Sequence, residues 1–99
     1  MKILALEREH ADATAHDFQR LAKSEAARAW ELYQEGVIRE LYFRQDRPEA
    51  VLLLECAGVE EAAATLATLP FVEAGLIAFE LIPLAPYPGF ARLFERDAH

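Results

Sequence analysis

Glu25 is the first residue of this chain whose type and position suggest chemistry. Successive residues advance about 100° around a helix, so with Phe18 at zero, Leu21, Ala22, Ala29, Leu32 and Tyr33 gather in an arc of about 120°. Glu25 falls about 20° from Phe18, near the middle of that arc, whereas Arg20, Lys23, Glu31 and Gln34 take the outer side. A carboxylate held between a helix and an apolar sheet loses hydration, and its pKa rises toward what a general base needs near neutral pH. Glu40 and Tyr42 are expected on the same side of the sheet and would line a pocket with it. The plainer alternative is that Glu25 passes small Ala22 and Ala29 to reach water, or pairs with Arg28 or a strand residue.

A second set of charges interrupts strands that are otherwise apolar: Glu7, Arg39, Glu55 and Glu80. Burying an unpaired carboxylate costs several kcal/mol, so such groups are expected to be paired, protonated or functional. Arg39 is expected to reach Glu55, with Glu7 close enough to share the network. One reading is an ion network that sets the register of a dimer. The other is a binding site, with Arg39 holding a substrate carboxylate.

The remaining candidates are weaker. His10 and His16 flank the start of the first helix and His99 ends the chain, with no second ligand at metal spacing, so no metal site is expected. Cys56 is the only cysteine, which excludes an internal disulfide, and no nearby cation activates it. Trp30 lies off the apolar stripe and is expected to pack against the C-terminal arm or another subunit. Glycine-rich phosphate loops are absent, so no nucleotide or other cofactor is expected.

The elements that position these residues can be read in order. Residues 2–7 form a short apolar strand. Thr14 with Asp17 is a variant of the capping box that opens a long helix, which ends at Gly36. Residues 37–44 and 50–56 form a hairpin around the polar, proline-containing 45–49 loop. A second helix starts near Gly58, carries Glu60 and Glu61 in its first turn and is expected to end at Pro70. Residues 76–84 form the last strand, and an extended arm over about 85–99 carries Phe90, Leu93 and Phe94 as anchors. Strand, helix, strand, strand, helix, strand is the order of the ferredoxin-like βαββαβ fold. This α+β chain should therefore form one antiparallel four-stranded sheet with two helices on one face. Its first and third strands are expected at the centre, parallel to each other, with the second and fourth at the edges.

Alternation divides the strands into two faces. The helix side is expected to carry Leu4, Leu6, Ile38, Tyr42, Leu52, Leu54, Cys56, Ile77, Phe79 and Leu81. The other side would carry Ile3, Ala5, Val37, Leu41, Phe43, Val51, Leu53, Leu76, Ala78 and Ile82, which is too apolar to face water. A homodimer joined through that face is the direct inference. The 99 residues suffice for one domain, and the 54% hydrophobic content supports a core. A net charge of −7 disfavours nucleic acid. No segment approaches the roughly 20 apolar residues of a membrane span. The first apolar run, ending at Glu7, is too short for a signal peptide, so a cytoplasmic location is expected.

The run Glu35-Gly36-Val37-Ile38-Arg39-Glu40-Leu41-Tyr42, followed later by Leu69-Pro70, resembles the muconolactone isomerase family of the dimeric α/β-barrel superfamily. The likeness spans roughly residues 23–84. It implies ferredoxin-like subunits with their sheets packed together, often in larger rings. By this resemblance Glu25, Arg39 and Glu80 match family residues, and Glu55 stands where an acidic residue is expected. Tyr42 replaces a tryptophan and Glu40 a histidine.

The function implied is acid–base isomerisation of a small lactone or carboxylated metabolite. Glu25 would move the proton, Tyr42 would orient the substrate, and Arg39, Glu40, Glu55 and Glu80 would contribute to binding. Two alternatives stand beside it. One is a non-catalytic dimeric binding or assembly module in which the charges only lock the interface. The other is a cofactor-independent monooxygenase of the same superfamily, with Tyr42 and Trp30 as its aromatic lining.

Overall fold

The computed structural model describes residues 1–96; His99 and the last residues of the expected arm lie outside them. The elements are β1 (Lys2–Glu9), α1 (Ala15–Gln34), β2 (Ile38–Phe43), β3 (Ala50–Glu55), α2 (Val59–Leu66), α3 (Pro70–Glu73) and β4 (Ile77–Pro83). A 3-10 helix, Gly89–Phe94, follows. The strands form one sheet in the order β2-β3-β1-β4, the α+β ferredoxin-like arrangement.

Local signals place the helix ends. The Thr14 hydroxyl oxygen accepts from the Asp17 amide at 3.2 Å, and the Asp17 carboxylate accepts from the Thr14 amide at 3.3 Å. This reciprocal pair supplies two amide donors at the helix start with acceptors. Gly36 (φ +82°) and Gly75 (φ +75°) follow the ends of α1 and α3 in the left-handed region, which a side chain would strain. Pro70 departs from expectation: α2 stops at Leu66, and Pro70 begins the one-turn α3. A proline fits the first helical position because its missing N–H would have no partner there.

The central pair of strands also departs from expectation, for β1 and β3 run antiparallel. A crossover through α1 makes β2 parallel to β1, and the hairpin then reverses the chain, so β3 must oppose β1. Glu55 is consequently level with Lys2, at the end of β1 remote from Glu7.

The two faces also need correcting. Ile3, Ala5 and Glu7 are the buried residues of β1, where Leu4 and Leu6 were expected under the helices. Ile3 lies opposite Leu54 and Ala5 opposite Leu52, all four in the core. In β2 a bulge intervenes, since Ile38 pairs with Leu54 but Glu40 with Leu53. The extra residue shifts the alternation. Leu41 and Phe43 therefore share the helix side with Leu52 and Ala50, while Glu40 and Tyr42 move to the outer face. β3 and β4 follow the expected assignment.

Candidate active site

Between α1 and the sheet lies a cavity of about 540 Å³. Phe18, Ala22, Glu25, Ala26 and Ala29 of α1 form one wall, and Glu7, Leu41, Phe43, Ala50, Leu52 and Phe79 of the sheet form another. Leu69 and Phe71 close one side, and Pro48 of the hairpin loop contributes to the rim. That loop is held by Arg44, whose Nε donates to Asp46 at 2.8 Å. The small alanines of α1 leave the space that larger residues would fill.

Glu25 lines this cavity, and burial raises its pKa, partly offset by a hydrogen bond from the Phe71 amide. That amide donates to Oε1 of Glu25 at 2.9 Å. The bond has a local cause: the residue preceding α3 is Leu69, which has no side-chain acceptor for the first amides of the helix. The Phe18 and Phe71 rings meet edge to face at 5.0 Å beside it. Arg28, a partner considered for Glu25, instead donates to Thr68 at 2.9 Å and to Glu31 at 3.3 Å. Among the described residues, no hydrogen bond reaches the other oxygen of Glu25.

Glu7 alternates with Ile3 and Ala5, which were expected on the outer face, and like them lies on the helix side. It is 8% exposed and faces Glu25's side of the sheet. Desolvation raises its pKa, and the charges of Glu49, Glu9 and Glu25 add to the rise, against the lowering effect of the Ala50 amide. That amide donates to Oε1 of Glu7 at 3.1 Å. Glu7 and Glu25 thus share one largely apolar cavity, whose lining also includes Glu9, and each is held through Oε1 by a backbone N–H. The signal was available in the sequence, since Ile3, Ala5 and Glu7 alternate in step. What it lacked was the phase of that alternation relative to the helices.

The other expected site residues lie elsewhere. Arg39 does not meet Glu55; its Nε donates to the Gly36 carbonyl at 2.7 Å. Glu55 accepts from Lys2 at 3.5 Å and from the chain's amino group, which lowers its pKa. Glu80 pairs with Arg8 at 3.4 Å. The Tyr42 hydroxyl donates to Glu40 at 2.7 Å, raising the phenol's pKa, and neither residue lines the Glu25 cavity. Arg39, Glu40 and Tyr42 instead border a second concavity with Trp30 and Tyr33. Trp30 stacks on Tyr33 at 5.8 Å. Burial pushes the Cys56 thiol up, consistent with an inert core group. No group of three or more potential metal ligands is found among the described residues. Nor is any helix among them long and apolar enough to cross a membrane.

Comparison with known proteins adds a family to this geometry. Residues 5–89 match the family described as muconolactone delta-isomerase. The chain belongs to the muconolactone delta-isomerase family. A crystal structure of muconolactone isomerase is similar over 89% of this chain and 92% of that one, with a TM-score of 0.72 and 21% identity. A second similar structure is 5-chloro-2-hydroxyhydroquinone dehydrochlorinase from Burkholderia phenoliruptrix in complex with 2,5-dihydroxybenzoquinone. It covers 86% of this chain and 94% of its own, with a TM-score of 0.63 and 18% identity. No curated protein matches the chain in sequence. At these identities the structural likeness establishes the shared ferredoxin-like fold, while the match over residues 5–89 establishes the muconolactone delta-isomerase family.

Proposed function

We propose that this protein moves a proton between two carbons of a small carbonyl compound bound in the cavity between α1 and the sheet. The observation that carries the proposal is the pair Glu7 and Glu25 in one apolar cavity, both with raised pKa. Two carboxyl groups that both resist ionising can hold one proton between them above the pH at which ordinary glutamates lose theirs. Glu25, as carboxylate, takes a proton from the carbon activated by the carbonyl. Glu7, as carboxylic acid, donates a hydrogen bond to the carbonyl oxygen, where negative charge develops. Glu25 then returns the proton at the second carbon. The net change is a shifted double bond, with no oxidant or reductant required. The muconolactone isomerase relative suggests an unsaturated lactone as the first substrate class to test.

Incubation with muconolactone in heavy water, followed by proton NMR, tests this reading. Glu25→Gln should lower turnover and deuterium incorporation about 10²- to 10⁴-fold, the usual range for removing a general base. Its unfolding midpoint should change little, because the Gln carbonyl can still accept from Phe71. Undiminished exchange in the variant would overturn the role. A second reading is supported by that Phe71 bond: Glu25 serves only to secure α3 to α1. It expects the opposite split, with stability lost on Glu25→Ala and no turnover in the parent protein.

The outer face supports a homodimer. Leu4, Leu6, Val51, Leu53 and Ile82 are only partly shielded there in the single chain. A second copy laid on that face would bury them, with Lys2–Glu55 at one end and Arg8–Glu80 at the other. Arg39, Glu40 and Tyr42, at the β2 edge, would then contribute from the rim of the interface. Larger rings are an extension of the same proposal.

A further inference from the structure

The proposed proton transfer makes no use of Glu49, whose side chain is only 13% exposed. This residue ends the loop between β2 and β3, one position before Ala50, whose N–H donates to Oε1 of Glu7 at 3.1 Å. Two arginines of the same hairpin converge on Oε1 of Glu49: Nε of Arg47 at 2.6 Å and Nη1 of Arg44 at 3.9 Å. The Arg47 contact is close, but its N–H does not point along it. Among the described residues, that buried oxygen therefore has charge partners and no hydrogen bond.

The backbone closes the same loop twice. The Arg44 N–H donates to the Glu49 carbonyl at 2.9 Å, and the Glu49 N–H donates to the Arg47 carbonyl at 2.8 Å. The second bond spans a three-residue turn centred on Pro48, whose ring-fixed φ suits such a turn and which also lines the cavity. Pairing sets Phe79 of β4 level with Glu7, and Arg8 reaches only the Glu7 carbonyl, at 3.1 Å. The charged groups that act on the Glu7 carboxyl are all acids: Glu49 on the hairpin, Glu9 on its own strand and Glu25 on α1, with Glu49 the strongest.

We infer that Glu49 is a positioning residue for Glu7: clamped by Arg44 and Arg47, it sets the Ala50 N–H on Oε1 of Glu7, and its charge keeps the proton on that acid. The inference rests on the proposed reaction, in which Glu7 must meet the carbonyl oxygen protonated. Two opposing demands pass through this one residue. The Ala50 N–H, as a donor to the carboxylate, favours ionisation of Glu7, and a negative charge nearby opposes it. The arginines temper that charge although neither lines the cavity, so removing either side of the clamp moves Glu7 in a defined direction.

NMR of the full-length protein follows Glu7 directly, through its carboxyl carbon in isotopically labelled glutamate and through the Ala50 amide proton. Glu7→Gln assigns the carboxyl signal. Both signals are titrated in the parent, in Glu49→Gln, which keeps the side chain's shape without its charge, and in Arg47→Gln, which leaves Glu49 less compensated. Glu49→Gln should lower the titration midpoint of Glu7 by about 0.5 pH unit or more, and Arg47→Gln should raise it by a similar amount. The Ala50 amide proton should report the same midpoint in each protein.

A loop that only braces the fold would move Glu7 the same way in both variants. Shifts of one sign, or no shift, would overturn the inference. If circular dichroism shows only one variant folded, an absent or reversed shift in that variant overturns it. Loss of fold in both would make the clamp a structural brace and overturn it as well. Turnover separates this inference from the reaction: the alkaline limb of the kcat profile should move with the NMR midpoint. An NMR shift that turnover does not follow would uphold the Glu49 coupling and overturn Glu7 as the acid of the proposed reaction.

Discussion

The two faces of this single sheet treat their glutamates in opposite ways. On the outer face, Glu55 is paired with Lys2 and the amino terminus, and Glu80 with Arg8. On the helix face, among the described residues, Glu7 and Glu25 accept only from backbone amides, with no cation beside them. Charge pairing near water is inexpensive, and loss of one surface pair is worth at most about 1 kcal/mol. Holding a carboxylate in an apolar cavity works against folding, so its presence there points to use rather than to stability. This contrast fits the proposed division, with assembly on one face and chemistry on the other.

Several measurements would break or sharpen that contrast. The largest effect is expected from Leu53→Glu on the outer face. If a second copy covers that face, sedimentation at micromolar concentration should show the dimer replaced by single subunits. A parent protein that already sediments as one subunit would end the assembly half of the comparison. Next comes Leu54→Ala on the helix face, where the side chain is fully buried. It should cost about 2–5 kcal/mol in denaturant unfolding, because little of the resulting space can close.

Glu7→Gln should act through pH. The folded protein retains a proton on Glu7 at pH values where the unfolded chain has released it. Stability therefore falls as pH rises from the ordinary glutamate value through the raised one. The Gln variant should show a flatter profile and equal or greater stability above that interval, read as unfolding midpoints from pH 4 to 8. An unchanged slope would mean that Glu7 is not held neutral by its surroundings. The smallest effect belongs to Glu80→Gln, expected to alter stability by at most about 1 kcal/mol and to lose even that at high salt. A larger loss would show that the outer-face pair is shielded from water, as a tight interface would shield it.

Much of this arrangement was legible from local sequence. Thr14 and Asp17 announced the start of α1, Gly36 its end, and the 45–49 loop the hairpin. The off-pattern position of Glu25 on α1 was visible because helical periodicity is unambiguous over twenty residues. The companion of Glu25 was not visible, and Tyr42 stood in its place. β1 is apolar on both sides, so alternation defines two sets without saying which is covered. In β2 the bulge between Ile38 and Glu40 then exchanges the sets. Similarly, Arg39 and Glu55 were near enough in register to suggest a pair, yet the amino terminus and Lys2 reach Glu55 instead.

Element order, helix caps and the acid on the apolar stripe are thus set by short-range rules, because each depends on residues within a few positions of one another. Which acids share a cavity, which are neutralised and which side of the sheet is left apolar depend on strand register. Register is a property of paired chains: a one-residue shift sends every side chain to the opposite face, and only the folded sheet chooses between the two.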